Sequence, residues 1–194
     1  MPQDISGYDV GALLYCPANA HHTVAQAVAA ERLPRPFSLA LCLEDTVRAD
    51  ALAAAEQAVE QTLHDLTDTA RQETFYRPLT FVRVRSPEQL ARLGRAYGKY
   101  RPLLTGFILP KFFIETCGAY CAVIRDLQAD GLDYFYMPVF EAPSMLPLHT
   151  RHAALAEVKA QLDALRECIL NIRVGGNDLC HVFGLRRDPG HTIY

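Results

Sequence analysis

The sequence of 194 residues lacks the features that define several classes of protein. It has no apolar run of the roughly 18 residues that a transmembrane helix needs. Its first residues, MPQDISGYDVG, contain neither a basic region nor an apolar stretch, so we expect no signal peptide. The net charge of −3 and the pI near 6.1 give no reason to expect nucleic acid or a membrane as a partner.

Two familiar catalytic signatures are also missing. The sequence has no G-x-S-x-G nucleophile elbow, and no cysteine has an obvious histidine partner, which disfavours a serine or cysteine hydrolase. The six cysteines form no C-x-x-C pair, although Cys117 and Cys121 are spaced to share a helix face. Zinc binding or a disulfide is an alternative, but buried, reduced thiols are favoured, and these indicate a cytoplasmic setting.

What the sequence does contain is a regular alternation of short apolar runs and longer helical stretches. The predicted strands are residues 12–16, 37–45, 79–85, 106–111, 133–141 and 168–178. The predicted helices are residues 21–32, 49–71, a helix that opens at Ser86-Pro87, 113–130 and 151–166. A strand followed by a helix, about six times over, predicts one α/β domain across residues 1–194, with a parallel sheet and its helices outside.

The C-terminal ends of the predicted strands carry charged residues. These are, in chain order, Glu44 and Asp45, Arg83 and Arg85, Lys111, Glu141, and the turn Gly175-Gly176-Asn177-Asp178. In parallel α/β folds these ends meet at one rim, where the active site lies. We therefore expect the charged side chains to lie together.

Several of these residues also have a simpler interpretation. Glu44 and Asp45 can cap the helix that follows them, and either arginine can pair with a carboxylate for structure alone. Lys111 can be a solvated lysine, and paired glycines mark turns in many proteins. The pair His21-His22 is better interpreted as surface than as metal ligands, because adjacent residues point apart on a helix.

Glu141 and Asp178 form the more specific pair. Two carboxylates with no histidine or thiolate beside them suit a hard cation such as magnesium, which keeps waters or substrate oxygens in its shell. An arginine at Arg83 can clamp a substrate carboxylate with two parallel hydrogen bonds. A metal and an arginine at an oxo-acid together can stabilise an enolate.

With these residues in view, the chain resembles the citrate lyase β-subunit and hydroxy-oxo-acid aldolase superfamily. The matching segments fall in the family's order and span nearly the whole chain: LLYCPA (13–18), LCLEDTV (41–47), FVRVRS (81–86), GFILPK (106–111), PVFEAPSML (138–146) and VGGNDL (174–179). The tail, GLRRDPGHTIY, resembles the branch of carbon–carbon bond lyases of the TIM-barrel fold. Some members of that branch belong to bacterial tellurium- and stress-resistance gene clusters.

The resemblance implies a (β/α)-barrel lyase that cleaves or forms a carbon–carbon bond next to a carbonyl. The implied substrate is a small oxo-acid or an acyl-CoA thioester. The implied metal is magnesium, with manganese as an alternative. By the same resemblance, Glu141 and Asp178 hold the metal, and Arg83 binds the oxo-acid and the enolate. Glu44 and Asp45 order water and metal near the site, and Lys111 and Gly176 contact the substrate at the rim.

The chain also departs from the family pattern. Ala18 stands where glycine is common, Arg85-Ser86 replace Asn-Pro, and Ala142-Pro143 replace a threonine-containing turn. Only about six strand–helix units are present, whereas a closed barrel has eight in about 250 residues. Two open sheet edges invite pairing with another chain, so we expect a homo-oligomer or a partner that completes the barrel. The alternative function is a non-catalytic barrel that acts as a binding or assembly subunit.

Overall fold

The computed structural model describes residues 5–185 and residue 190. Six parallel strands form one sheet in chain order: β1 (Leu13–Pro17), β2 (Ser38–Cys42), β3 (Thr80–Arg83), β4 (Leu104–Leu109), β5 (Phe135–Phe140) and β6 (Arg173–Val174). The helices are α1 (His21–Ala29), α2 (Leu52–Gln72), α3 (Pro87–Ala96), α4 (Cys117–Ala129), α5 (Leu148–Asp163) and α6 (Gly176–Val182). The predicted α/β architecture, a TIM-barrel type truncated to six strand–helix units, is confirmed.

The four central strands of the sheet, β2 to β5, are buried on both faces at nearly every residue, which explains why they read as nearly continuous apolar runs. In β2, all five residues are buried. Leu39 and Leu41 belong to a large core between the sheet and the helices, together with Val59 and Leu63 of α2. Ala40, between the two leucines, points the other way and belongs to a smaller core inside the curled sheet.

The smaller core fills the concave side of the sheet. Its members are Val10, Ala40, Phe81, Ile108, Met137 and Val139. A short 3-10 helix, Gly7–Val10, lies so close to the segment before β6 that a Cβ on Gly7 would meet the carbonyl oxygen of Leu170 at 2.4 Å. The segments beside the two edge strands therefore meet, although β1 and β6 do not pair within residues 5–185.

The sixth strand differs from its prediction over residues 168–178. Only Arg173 and Val174 form a ladder with β5, and a single bridge joins Ile169 to Tyr136. Asp178 lies in the first turn of α6 rather than at a strand end. The ladder stops because the chain turns at Gly175, and a carboxylate in the first turn of a helix is electrostatically favoured.

The helix ends and the cysteines show ordinary local structure. Ser86, at the predicted start of the third helix, caps α3, because its Oγ accepts a hydrogen bond from the N–H of Gln89 at 3.3 Å, and Gly131 has φ +75° just after α4, the usual conformation of a glycine that ends a helix. All six cysteines are free thiols, with four of them buried. The side chains of His21 and His22 lie outside the described part of the chain. Every helix within that part is too short or too polar to cross a membrane.

The close approach of β4 and β5 gives a test of the fold. A Cβ on Gly106 would lie 1.8 Å from the carbonyl oxygen of Phe135. We expect Gly106→Ala to lower the free energy of unfolding by about 2 kcal/mol or more, because the backbone of β5 must move. Urea denaturation measures this quantity.

The matched control is Gly118→Ala in α4, where nothing lies within 4 Å of the added Cβ. This control should be neutral or should stabilise by up to about 1 kcal/mol through helix propensity. Equal losses in the two variants would contradict the strand packing described.

Candidate active site at the strand ends

The guanidinium group of Arg83, the last residue of β3, is the centre of the strand-end cluster. Its Nη2 lies 2.9 Å from Oε2 of Glu44 and 3.2 Å from Oε1 of Glu141, and its Nη1 lies 2.9 Å from Oδ2 of Asp45. Arg83 and Glu44 are each 9% exposed, and Glu141 is 4% exposed. One buried cation thus gathers carboxylates that follow two different strands, β2 and β5.

The occupied donors limit what Arg83 can offer a substrate. Nη2 already contacts two carboxylates, and Nη1 contacts a third. Nε is buried and has no hydrogen-bond partner among the described residues. Arg83 therefore brings positive charge to the site, and a clamp of two parallel hydrogen bonds on a substrate would require one or more of the three carboxylates to move.

Arg85 bonds to the backbone rather than to carboxylates, although the sequence suggested both Arg83 and Arg85 as charged residues of the site. Its Nε donates to the carbonyl of Leu43 at 2.5 Å, and its Nη2 donates to the carbonyls of Glu44 and Val47. These bonds hold the loop after β2 in place. Neither Glu44 nor Asp45 caps α2, since that helix begins at Leu52.

Lys111 contributes through its backbone as well as through its side chain. Its φ of +50° is uncommon for a residue with a Cβ. In this conformation its N–H donates to Oε1 of Glu141 at 3.0 Å. Its Nζ lies 3.1 Å from Oε1 of Glu44 and 4.0 Å from Oδ2 of Asp178. Lys111 is therefore a paired cation of the cluster.

Burial and the neighbouring charges together shift the pKa of three carboxyl groups in the cluster. Burial, assisted by the neighbouring Asp45, raises the pKa of Glu44 against the effect of Arg83 and Lys111. Burial likewise raises the pKa of Glu141, although the N–H of Lys111 and the charge of Arg83 oppose the shift. Burial also opposes ionisation of Asp45, but its hydrogen bond with Glu44 and the charge of Arg83 prevail and lower its pKa.

Glu141 and Asp178 face one open cleft of about 450 Å³, whose lining includes Arg83 and Asp45. Glu141 follows β5 directly, and its Oε2 is packed against Gly175: a Cβ on Gly175 would lie 2.1 Å from that oxygen. A glycine is therefore required at residue 175 for Glu141 to keep its position. Gly176, predicted to contact the substrate, lies in the same lining.

The residues present fit a magnesium ion. Four carboxylates, those of Glu44, Asp45, Glu141 and Asp178, lie about two cations, Arg83 and Lys111. Within the described residues no three acidic, histidine or cysteine side chains form a complete metal site. Magnesium needs no such set, since it is commonly held by one or two carboxylates, with waters and substrate oxygens completing its shell.

Two cleft residues were missed by the analysis of the sequence. The ring centroid of Tyr15 lies 5.9 Å from the guanidinium carbon of Arg83 and 5.8 Å from that of Arg173. Both residues line the cleft. Tyr15 stands inside the segment LLYCPA, and Arg173 directly precedes VGGNDL, so proximity to those two segments was the available signal.

Comparison with known proteins identifies the family. A family model described as C-C_Bond_Lyase of the TIM-Barrel fold matches residues 4–194. The chain belongs to this family of carbon–carbon bond lyases, and the resemblance seen in its sequence is confirmed. No curated protein matches the chain.

Two solved structures from Mycobacterium tuberculosis share the fold. One is a citrate lyase beta subunit complexed with oxaloacetate and magnesium, with 21% identity and a TM-score of 0.55, covering 93% of this chain and 66% of that one. The other is the protein CitE in complex with magnesium and acetate, with 21% identity and a TM-score of 0.55, covering 91% and 58%. The chain spans less than two thirds of the length of these proteins.

The unusual backbone of Lys111 yields a test of how the site is built. Lys111→Ala and Lys111→Gly both remove Nζ, but only glycine adopts φ +50° without strain. We expect the free energy of unfolding of Lys111→Gly to exceed that of Lys111→Ala by about 1 kcal/mol. The control is Lys159 within α5, where alanine should be the more stable replacement by about the same amount. If alanine is also better at residue 111, the proposed strain is absent.

Proposed function

We propose that the chain is a magnesium-dependent carbon–carbon lyase or aldolase that acts on a small oxo-acid or an acyl-CoA thioester through an enolate. The observation that carries the proposal is the cluster at the strand ends, where a buried arginine and two cleft-facing carboxylates, Glu141 and Asp178, share one small cleft. Membership of the lyase family supports the reaction class. The magnesium in both similar structures supports the metal.

Each charged residue has a proposed role. Glu141 and Asp178 would hold the metal, and manganese has the same preference for oxygen ligands. When bound, magnesium supplies a Lewis acid that stabilises negative charge developing on a substrate oxygen. Arg83 places its own positive charge beside that oxygen and orients Glu141.

The remaining residues support this arrangement. Glu44 and Asp45 would order water and hold Arg83 in place, while Lys111 positions Glu141 through its N–H and adds a positive charge at the rim. Gly176 would contact the substrate along the cleft wall. A homo-oligomer or a partner chain that completes the barrel remains our prediction, supported by the exposed Leu14 and Val174 on the two edge strands.

Enolate formation can be tested without knowing the complete substrate. Pyruvate incubated with the protein and magnesium in D₂O should exchange its methyl protons for deuterium, which proton NMR follows directly. We expect Glu141→Gln to slow this exchange about a hundredfold, as removal of a transition-state stabilising group does. The expectation for Asp178→Asn is the same in direction.

The control variant is Glu167→Gln, whose carboxylate pairs with Arg166 on the surface. This variant should exchange pyruvate like the wild type. Well-folded wild-type protein that causes no magnesium-dependent exchange would contradict a lyase that works through a pyruvate-like enolate. That result would favour the alternative of a binding or assembly subunit.

A further inference from the structure

Arg173 occupies the same cleft as the proposed metal ligands but belongs to another strand. It lies on β6 in register with Val139 of β5, two residues before Glu141. Arg173 and Val139 both line the cleft, together with Glu141 and Asp178. The cleft therefore has acidic groups that follow β2, β5 and β6, and β6 provides a second arginine besides Arg83.

The charge of Arg173 is unpaired among the described residues. Arg83 contacts three carboxylates, and Arg85 donates to three backbone carbonyls. No carboxylate or carbonyl within residues 5–185 accepts a hydrogen bond from the guanidinium group of Arg173, which lies 5.8 Å from the ring centroid of Tyr15. Its N–H donors thus stay available in a half-buried position, where a ligand would replace water at modest cost.

Tyr15 explains how Arg173 is kept in the cleft without a carboxylate partner. A guanidinium group over an aromatic ring is attracted by the ring's negative face. The ring of Tyr15 has Arg83 5.9 Å and Arg173 5.8 Å from its centroid. This contact takes up no hydrogen-bond donor of Arg173, so the planar fork of N–H groups is available to bind a carboxylate in the bidentate manner.

We propose that Arg173, restrained by Tyr15, binds a second carboxylate of the substrate, so that the cleft selects dianionic oxo-acids over monoanionic ones. The inference rests on the proposed function, in which the oxo-acid group of the substrate binds beside Glu141 and Asp178. Arg83 is a poor candidate for the second carboxylate, because its two terminal nitrogens already contact three carboxylates and its Nε is buried. The cleft of about 450 Å³ is within the usual size range for small ligands.

The test compares pairs of ligands that differ in one group. α-Ketoglutarate is matched with α-ketovalerate, and oxaloacetate with α-ketobutyrate, so that a methyl group replaces the distal carboxylate in each pair. Dissociation constants are measured by calorimetry with and without magnesium. We expect the wild type to prefer the dianion of at least one pair by about tenfold or more, the usual gain from hydrogen bonds between charged groups.

The variants assign that preference to one side chain. Arg173→Gln should abolish the preference while leaving the affinity for the monoanion within about twofold of the wild type, and Arg173→Lys should retain part of it. Arg166→Gln, on the exposed surface, is the control and should behave as the wild type. A wild type without preference, or a preference that survives Arg173→Gln, overturns the inference.

The two proposals fail in different ways in this experiment. If magnesium strengthens binding of both members of a pair and Arg173→Gln changes nothing, the proposed metal site stands and the role of Arg173 is overturned. If the preference depends on Arg173 but magnesium has no effect on any ligand, the role of Arg173 stands and the proposed function is overturned. A folded wild type that binds none of the four ligands overturns both.

Discussion

The ion pairs of Arg83 organise the end of the sheet at which the proposed chemistry would occur. One buried guanidinium holds Glu44 and Asp45, which follow β2, and Glu141, which follows β5. Buried charges are tolerated only when they are well paired, and removing one partner of such a pair costs about 3–5 kcal/mol. The supporting contacts follow from this requirement: Arg85 fixes the loop that carries Glu44, and Lys111 adopts a left-handed backbone that aims its N–H at Glu141.

The cluster contains more acidic than basic side chains, and this excess of negative charge is what favours a bound cation. Four carboxylates meet two cations, so a divalent cation would complete the charge balance where Glu141 and Asp178 face the cleft. Arg173, in contrast, is a cation whose guanidinium group pairs with no carboxylate among the described residues. A ligand with a chelating oxo-acid group and a distal carboxylate would satisfy both needs at once.

The sequence predicted the site best at charged residues that end an apolar strand, because such residues have few other reasons to be there. Glu141 at the end of an apolar strand and Arg83 at the end of another were predicted from position alone, and the structure brings them to 3.2 Å. The two-residue strand β6 could not be delimited, because its register with Val139 and Phe140 depends on the tertiary fold. The smaller core on the concave side of the sheet could not be predicted either. The number of strands does not show that Val10, which lies outside them, packs into that core.

The most direct test of the account is a calorimetric titration of magnesium into the wild type and into Glu141→Gln, each with and without pyruvate. We expect saturable binding to the wild type that strengthens when pyruvate is present and is lost in Glu141→Gln. Folded wild-type protein that binds no magnesium under either condition would contradict the claim that these strand-end carboxylates form a metal site.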